Sequence, residues 1–213
     1  MDPNSSIYDW RAEFGVVDPT GREAITYSLW ERQQYVSGTT EQLQFFNQGA
    51  QTGINGNLTL GGQLPNGQAF LVQALKVHVA QGPFATAAAA PADGPAQAVQ
   101  EDIFNLIHNA TAEIRIGDKT YGRWPLWMLP PGGGISGFLS AAGSLTAPAT
   151  SVSSFAQSGV PDPRAVYTLP IPVVLPPQFN FDVTLTWDAP QTLLAGDPLI
   201  FCVLDGQLQR PRQ

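Results

Sequence analysis

Histidine, cysteine and clustered carboxylates are the side chains that would bind a catalytic metal, and this sequence has few of them. It contains two histidines, His78 and His108, and one cysteine, Cys202. No HxH, HxxxH or CxxC spacing occurs, although a zinc site needs several such ligands at matched positions. The sequence therefore predicts no metal site. Cys202 lies in the apolar run PLIFCVLDG and is interpreted as a buried structural thiol.

Serine, glycine and carboxylate motifs that would support catalysis or phosphate binding are incomplete. In GGGISGF, Phe138 stands where the G-x-S-x-G motif around Ser136 requires its last glycine. The stretches LGGQLPNG and PPGGGISG lack the Lys-Ser/Thr that follows a phosphate-binding loop. Glu101, Asp102 and Glu113 show no spacing typical of an acid/base pair. We therefore expect no catalytic residue, no cofactor and no enzyme activity.

Tryptophan and arginine residues are the remaining candidates for a binding role. Trp124 and Trp127 flank Pro125 in RWPLWM, where they would either stack on a sugar ring or pack in the core or at a subunit interface. We favour packing. Chain termini are poorly ordered unless a partner holds them, so polar terminal segments are candidate contacts between subunits. The predicted assembly interface consists of Trp10, Arg11, Trp124, Trp127, Arg210 and Arg212.

The charge balance argues against nucleic acid as a direct partner. The net charge is -7, and the first twenty residues contain no basic arm, whereas binding to phosphate backbones needs clustered Lys and Arg. Only 13% of residues are charged, against about 25% in an average domain. These first residues also lack the blocks of a signal peptide, and no apolar run reaches the roughly 20 residues of a membrane-spanning helix. We expect a soluble chain.

Alternation of apolar and polar residues predicts β-strands along most of the chain. FNFDVTLTW, at 179–187, places Phe179, Phe181, Val183, Leu185 and Trp187 on one face. PLIFCVLDGQL fits a strand covered on both faces over its apolar run. TAEIRIGDKTYGRWPLWML predicts a hairpin that turns at Gly117-Asp118. Three earlier strands are predicted in ITYSLWERQQYVSG, TEQLQFFNQG and QAFLVQALKVHVAQ.

Two segments contain prolines or turn residues that modify this pattern. AVYTLPIPVVLPP places Tyr167, Leu169, Ile171 and Val173 on one face and Pro170 and Pro172 on the other, which favours an edge strand or an irregular extended segment. NGNLTLGGQLPNG, at 55–67, precedes the strand expected to begin near Ala69, and its Leu-Pro-Asn-Gly predicts a tight connection. Its uncharged polar residues would hydrogen-bond across a subunit contact, or the stretch is an ordinary loop.

Only residues 97–109 show helical spacing, through Val99, Ile103, Leu106 and Ile107. Residues 82–96 and 130–163 read as long loops. About eight strands with one inserted helix predict an all-β fold, a single eight-stranded antiparallel jelly roll with long loops. We expect one domain over residues 1–213, with an N-terminal arm at 1–20 and a C-terminal tail at 205–213.

Three stretches carry a resemblance to a known family. They are FFNQGAQTGINGNLTLGGQLPNGQAFLVQALKVHV at 45–79, IPVVLPPQFNFDVTLTW after the inserted helix, and the terminal LDGQLQRP. Together they resemble jelly-roll capsid proteins of icosahedral tailless bacteriophages that contain an internal membrane. Double-barrel members of that lineage are longer, so 213 residues favour its single-barrel branch.

The resemblance implies a viral structural protein of the virion, assembled in the host cytoplasm. Its partners would be copies of itself in a trimeric or pseudo-hexameric capsomer and other capsid proteins, with an internal viral membrane as a candidate contact. A shell separated from its genome by a membrane agrees with the missing basic arm. The alternative is a receptor- or carbohydrate-binding spike or lectin-like module built on the same fold.

Overall fold

The computed structural model describes residues 22–47, 54–80, 95–132, 135–136, 157–158, 163–194 and 196–211. Within them lie ten strands and one α-helix. The strands are β1 (Arg22–Gln34), β2 (Gln42–Phe45), β3 (Ala69–Ala80), β4 (Ala110–Ile116), β5 (Lys119–Pro125), β6 (Ile135–Ser136), β7 (Gln157–Ser158), β8 (Thr168–Leu175), β9 (Phe181–Trp187) and β10 (Leu199–Pro211). The helix α1 spans Pro95–His108, and 3₁₀ turns span Leu126–Met128 and Pro163–Ala165.

Eight of these strands form two antiparallel sheets of four. The β1 sheet has the order β1-β10-β3-β8 and the β2 sheet the order β2-β9-β4-β5, while β6 and β7 pair separately. The first strand pairs with the last, β2 with β9, β3 with β8 and β4 with β5. This nested pairing is that of a long antiparallel ribbon rolled into a sandwich. The predicted all-β fold of antiparallel strands with one inserted helix is confirmed, and its eight main strands fit a jelly-roll-like β-sandwich.

The main core lies between the two sheets. Because side chains alternate along each strand, one face of each sheet points into this core. In β9, Phe181, Val183, Leu185 and Trp187 are buried, as predicted, whereas Phe179 lies before the strand and is exposed. In β10 the buried positions alternate with half-buried ones. The apolar run predicted to be covered on both faces is therefore fully buried on one face and partly covered on the other. Phe201 and Val203 project from the outer side of the sheet, opposite to Ile200 and Cys202.

The predicted C-terminal tail at 205–213 is also wrong for the residues that the structure describes. β10 continues to Pro211 and pairs with β1 down to Arg22. Asp205-Gly206 resembles a turn in the sequence, but here it lies at a β-bulge between β10 and β3. Gly206 is required because the backbone of Leu71 approaches too closely for any Cβ atom. Arg212 lies outside the described residues.

The proline-containing strand β8 lies at the edge of the β1 sheet, as its sequence predicts. Its pairing with β3 is interrupted, because Val173–Leu175 and Thr168 pair in different registers. Ile171 lies in the interrupted part and is 74% exposed, although Leu169 and Val173 are buried. The single apolar face predicted for this strand is therefore broken at Ile171. This residue lies between two prolines, which have no backbone N–H to donate to β3.

The hairpin and the helix follow their sequence signals. β4 and β5 are joined by Gly117 and Asp118, with Gly117 at a φ of 56° that suits the first position of such a turn. The helix predicted at 97–109 is observed as α1. Its Leu106 is fully buried in the main core, and the indole N–H of Trp187 donates to the Leu106 carbonyl oxygen at 3.0 Å. α1 thereby closes the sandwich at the end where β3 finishes and β4 begins.

Several predicted segments fall outside the described residues. These are the N-terminal arm at 1–20 and most of the two long loops, of which only 95–96, 130–132, β6, β7 and residue 163 are described. In the described part of the chain, no helix has the length and apolar character needed to cross a membrane.

Candidate interaction surfaces

The two tryptophans predicted to act together have different environments. Trp124 lies in β5, half-buried, and packs against the main core. Its indole covers Gly122, where any Cβ would overlap the ring. Trp127 lies in the 3₁₀ turn after β5 and is 56% exposed. Trp124 therefore serves core packing, and Trp127 is the one that a partner could reach.

Arg210, the one predicted interface arginine that the structure describes, does not lie beside Trp127. Arg210 lies in β10 opposite Glu23 of β1, close to the end of the sandwich where the chain enters the fold. Trp127 lies near α1 at the other end. Trp10, Arg11 and Arg212 lie outside the described residues. The described members of the predicted assembly interface are thus spread over both ends of the molecule.

The helix-bearing end is fixed by hydrogen bonds between the β1–β2 connection, the β9–β10 connection and α1. The Tyr35 hydroxyl accepts the Gln191 amide N–H at 2.7 Å, and the Ser37 hydroxyl accepts that of Leu193 at 2.8 Å. The buried carboxylate of Asp102 in α1 accepts the Leu194 amide N–H at 2.8 Å. Tyr35 is itself buried and contacts Trp187 edge-to-face, with the two ring centroids 4.8 Å apart. These bonds connect three separate segments into one platform.

Four exposed apolar side chains lie in α1 and in three connections at this end, and we call them the helix-end patch: Val36, Phe104, Trp127 and Leu194. Phe104 is 59% exposed and stacks on His108 one helical turn later, with ring centroids 4.0 Å apart. Leu194 is also 59% exposed. Neither Phe104 nor Leu194 was predicted from the sequence. The helical spacing contained a signal for the first of them, because Phe104 falls off the face formed by Ile103, Leu106 and Ile107.

The opposite end contains the glycine-rich stretch at 55–67, whose polar groups bond within the chain. Asn57 lies along the open edge of β1: its Oδ1 accepts the Trp30 amide N–H at 2.8 Å, and its Nδ2 donates to the Ser28 carbonyl at 2.7 Å. Gln63 donates to the Asn180 side chain at 2.6 Å. For these residues the loop alternative holds, and their role is to cover a strand edge.

The outer face of the β2 sheet is polar and its charges are paired. Arg115 donates twice to Asp182, at 3.2 and 3.1 Å, and Arg123 donates to Glu113 at 2.9 Å. The Thr120 hydroxyl and, secondly, the Arg123 guanidinium lower the pKa of Glu113 below its usual value. These paired charges make this face well suited to contact with water.

One carboxylate lies inside the sandwich. Glu31 is 1% exposed, and burial raises its pKa above the usual value, although hydrogen bonds from Gln33 and from the Phe46 amide oppose that shift. Phe46 adopts a φ of 68° with its ring fully buried, so the Glu31 carboxylate holds a strained backbone position. The neighbouring Cys202 is completely buried, and burial raises the pKa of its thiol well above the usual value. It is a structural thiol rather than a nucleophile.

The two histidines have different surroundings. His78 projects from the outer side of the β1 sheet toward Phe201, and burial lowers its pKa. His108 stacks on Phe104. Among the residues that the structure describes, no three His, Cys, Asp or Glu side chains are grouped so that they could hold a metal ion. Comparisons of the chain with protein-family models, curated proteins and solved structures find no match.

Proposed function

We propose that this chain is a coat subunit of an icosahedral virion, which self-associates through its helix-bearing end and acts by binding rather than by catalysis. The jelly roll is a fold that viral capsid proteins share with lectins, so the fold alone does not choose between them. The observation that carries the proposal is the helix-end patch. Its four exposed apolar side chains lie in α1 and three connections at one end of the sandwich, and hydrogen bonds join α1 and two of these connections.

Several exposed apolar side chains at one end of the sandwich favour a protein contact. Single exposed apolar residues are ordinary on any surface, but clusters mark interaction sites. Burying a Phe side chain completely contributes about 1.5–3 kcal/mol, so covering the 59% of Phe104 that is exposed contributes about 1.5 kcal/mol. A stable interface buries about 800 Å² on each partner, which the patch would supply as a core with a polar rim.

The proposal extends to partners and location. Copies of the chain would associate as a trimer or a pseudo-hexameric capsomer, together with other capsid proteins and with an internal viral membrane beneath the shell. Assembly would take place in the host cytoplasm. A net charge of -7 would repel phosphate backbones, which supports a role without direct nucleic-acid contact.

The test compares association of the wild type with that of two variants by light-scattering mass over a concentration and salt series, with electron microscopy of the same fractions. The double variant Phe104→Ser/Leu194→Ser removes two patch residues, and Ile171→Ser removes a still more exposed apolar side chain from β8. We expect the double variant to weaken association roughly 100-fold, because about 3 kcal/mol of burial is lost. The Ile171→Ser control should differ from wild type by less than about threefold. A wild type that stays monomeric at every concentration, or equal effects of both variants, would contradict the proposal.

Carbohydrate binding is the second candidate, and the exposed indole of Trp127 favours it. A flat aromatic ring beside solvent is the group on which a sugar ring stacks. Titration with a glycan panel, followed by fluorescence, separates the two functions. Saturable binding that Trp127→Ala abolishes and Trp124→Phe preserves would support the lectin-like function. Association without glycan binding would support the coat function.

A further inference from the structure

The chain contains two Asn-Gly dipeptides, Asn55-Gly56 and Asn66-Gly67, and the fold gives them different surroundings. Asn-Gly is the dipeptide at which asparagine most readily loses its side-chain amide, because glycine has no side chain to shield its backbone nitrogen. The reaction requires that nitrogen to reach the Cγ atom of the asparagine, so both the side chain and the following peptide must rotate. The local structure therefore decides which of the two sites reacts.

Asn66 lies in a tight turn immediately before β3. The Gln68 amide N–H donates to the Pro65 carbonyl oxygen at 3.1 Å, and Gly67 has a φ of 80°, which suits the third position of a type II turn. The hydrogen bond that closes such a turn does not use the amide N–H of its third residue. Asn66 is exposed, and no described residue hydrogen-bonds its side chain. Neither reacting group is therefore held in place by a hydrogen bond of the turn.

Asn55, by contrast, is held at both reacting groups by one residue of β1. The Arg32 amide N–H donates to the Asn55 carbonyl oxygen at 2.8 Å, and the Arg32 Nε–H donates to the Asn55 Oδ1 at 3.2 Å. The first bond fixes the peptide that contains the Gly56 nitrogen, and the second fixes the side-chain amide. Gly56 is itself buried beside Glu31 of β1. Ring closure at Asn55 therefore requires both bonds to break first.

We propose that Asn66 is a deamidation site of the folded protein and that Arg32 protects Asn55 from the same reaction. The Gly67 nitrogen gives its proton to hydroxide and bonds to the Asn66 Cγ atom. The C–N bond of the side-chain amide then breaks, and the leaving nitrogen takes a proton from water and departs as ammonia. Water opens the cyclic succinimide to aspartate or to isoaspartate, in which the main chain runs through the side-chain carbonyl. This modification is independent of the coat function.

Modification of Asn66 changes the entry of the chain into β3. Both products carry an additional negative charge, and isoaspartate also adds an extra atom to the main chain of the turn. The turn is anchored on both sides, because the Leu64 carbonyl oxygen accepts the Gln178 amide N–H at 3.1 Å and β3 begins at Ala69. The extra atom cannot be taken up by these anchored neighbours. Isoaspartate formation therefore disrupts the hydrogen bond that closes the turn.

Peptide mapping of the full-length protein measures both sites in one sample. The folded protein is incubated in mildly alkaline buffer, and chymotryptic peptides that separate Asn55 from Asn66 are followed by mass spectrometry, which detects the replacement of an amide by a carboxylate. The same incubation in guanidinium chloride gives the rate of each site without structure. We expect Asn66 in the folded protein to react within about threefold of its unfolded rate, and Asn55 at least about tenfold more slowly than its unfolded rate. Equal rates at the two sites in the folded protein, or reaction of Asn66 only in denaturant, would overturn the proposal.

The variant Arg32→Ala tests the protection of Asn55, since it removes the side-chain hydrogen bond and leaves the backbone one. We expect the rate at Asn55 to rise at least about threefold in this variant, while the rate at Asn66 stays unchanged. An unchanged rate at Asn55, or an equal rise at both sites, would contradict the role of Arg32. An isoaspartate-specific carboxyl methyltransferase with a labelled methyl donor identifies the product, and label on the Asn66 peptide is the expected result. None of these outcomes bears on whether the helix-end patch associates.

Discussion

Replacing Gly206 by alanine should destabilise the fold strongly, although the substitution adds only one methyl group. Gly206 lies in β10 at the bulge where its register with β3 shifts. An ideal Cβ built on it overlaps the Leu71 carbonyl oxygen and lies 2.9 Å from the Leu71 carbonyl carbon and 3.3 Å from the Gln73 nitrogen. All three are backbone atoms, so no side chain can rotate to relieve the overlap.

The cost follows from what must move. β3 and β10 are the two central strands of the β1 sheet, and separating them enough for a methyl group disrupts their ladder hydrogen bonds. Overpacking in a core typically costs about 1–3 kcal/mol, and a backbone clash belongs at or above the upper limit, so we expect a loss of about 3 kcal/mol or more. The entropy that alanine removes from the unfolded chain recovers only about 0.4–1 kcal/mol.

Urea unfolding monitored by tryptophan fluorescence measures this loss, because Trp187 is buried in the core. Gly117→Ala is the matched control: its φ of 56° disfavours alanine, but a Cβ there meets nothing within 4 Å. We expect the control to cost about 1–2 kcal/mol. A Gly206→Ala variant within about 1 kcal/mol of wild type, at an unchanged m-value, would refute the close approach of the two strands.

Two further predictions concern polar groups. Glu31→Gln should flatten the pH dependence of the free energy of unfolding. Burial raises the pKa of Glu31, so the wild type loses stability as the pH rises through that raised pKa. The loss is at most about 1.4 kcal/mol per pH unit. Urea unfolding from about pH 5 to 8 measures the difference, and parallel curves for both proteins would contradict it. Asn57→Ala should cost about 1–2 kcal/mol, because it leaves two backbone groups of β1 unpaired. The control Asn55→Ala loses one exposed hydrogen bond from Arg32 and should cost less than about 0.5 kcal/mol. Equal losses of stability in the two variants would argue against the edge-covering role of Asn57.

The strands and the β4–β5 hairpin could be predicted because their signals are local. Alternation in β9 and the turn at Gly117 depend on side-chain direction and on one φ angle, both set by nearby residues. The errors came from contacts distant in sequence. Gly206 resembles a turn residue until β3 is seen against it, and Ile171 looks inward-facing until the pairing of β8 is seen to break.

The candidate surfaces were harder to predict for a related reason. Trp124 and Trp127 are three residues apart with the same chemistry, yet one covers Gly122 and packs against the core while the other is exposed. Their difference depends on where β5 ends and the 3₁₀ turn begins, and composition does not encode that boundary. The helix-end patch likewise unites residues from α1 and three connections, which only the fold brings together.

The small apolar cluster of Ala69 and Leu71, on the side of β3 that faces away from the main core, has by contrast a sequence signal. β9 alternates cleanly between apolar and polar residues, which is typical of a strand with one face in water. β3 begins Ala-Phe-Leu-Val, apolar at both parities, and all four of these residues are buried. A strand with that pattern must be covered on both faces. The β2 sheet covers one face, and on the other Val174 of the neighbouring β8 packs against Ala69 and Leu71.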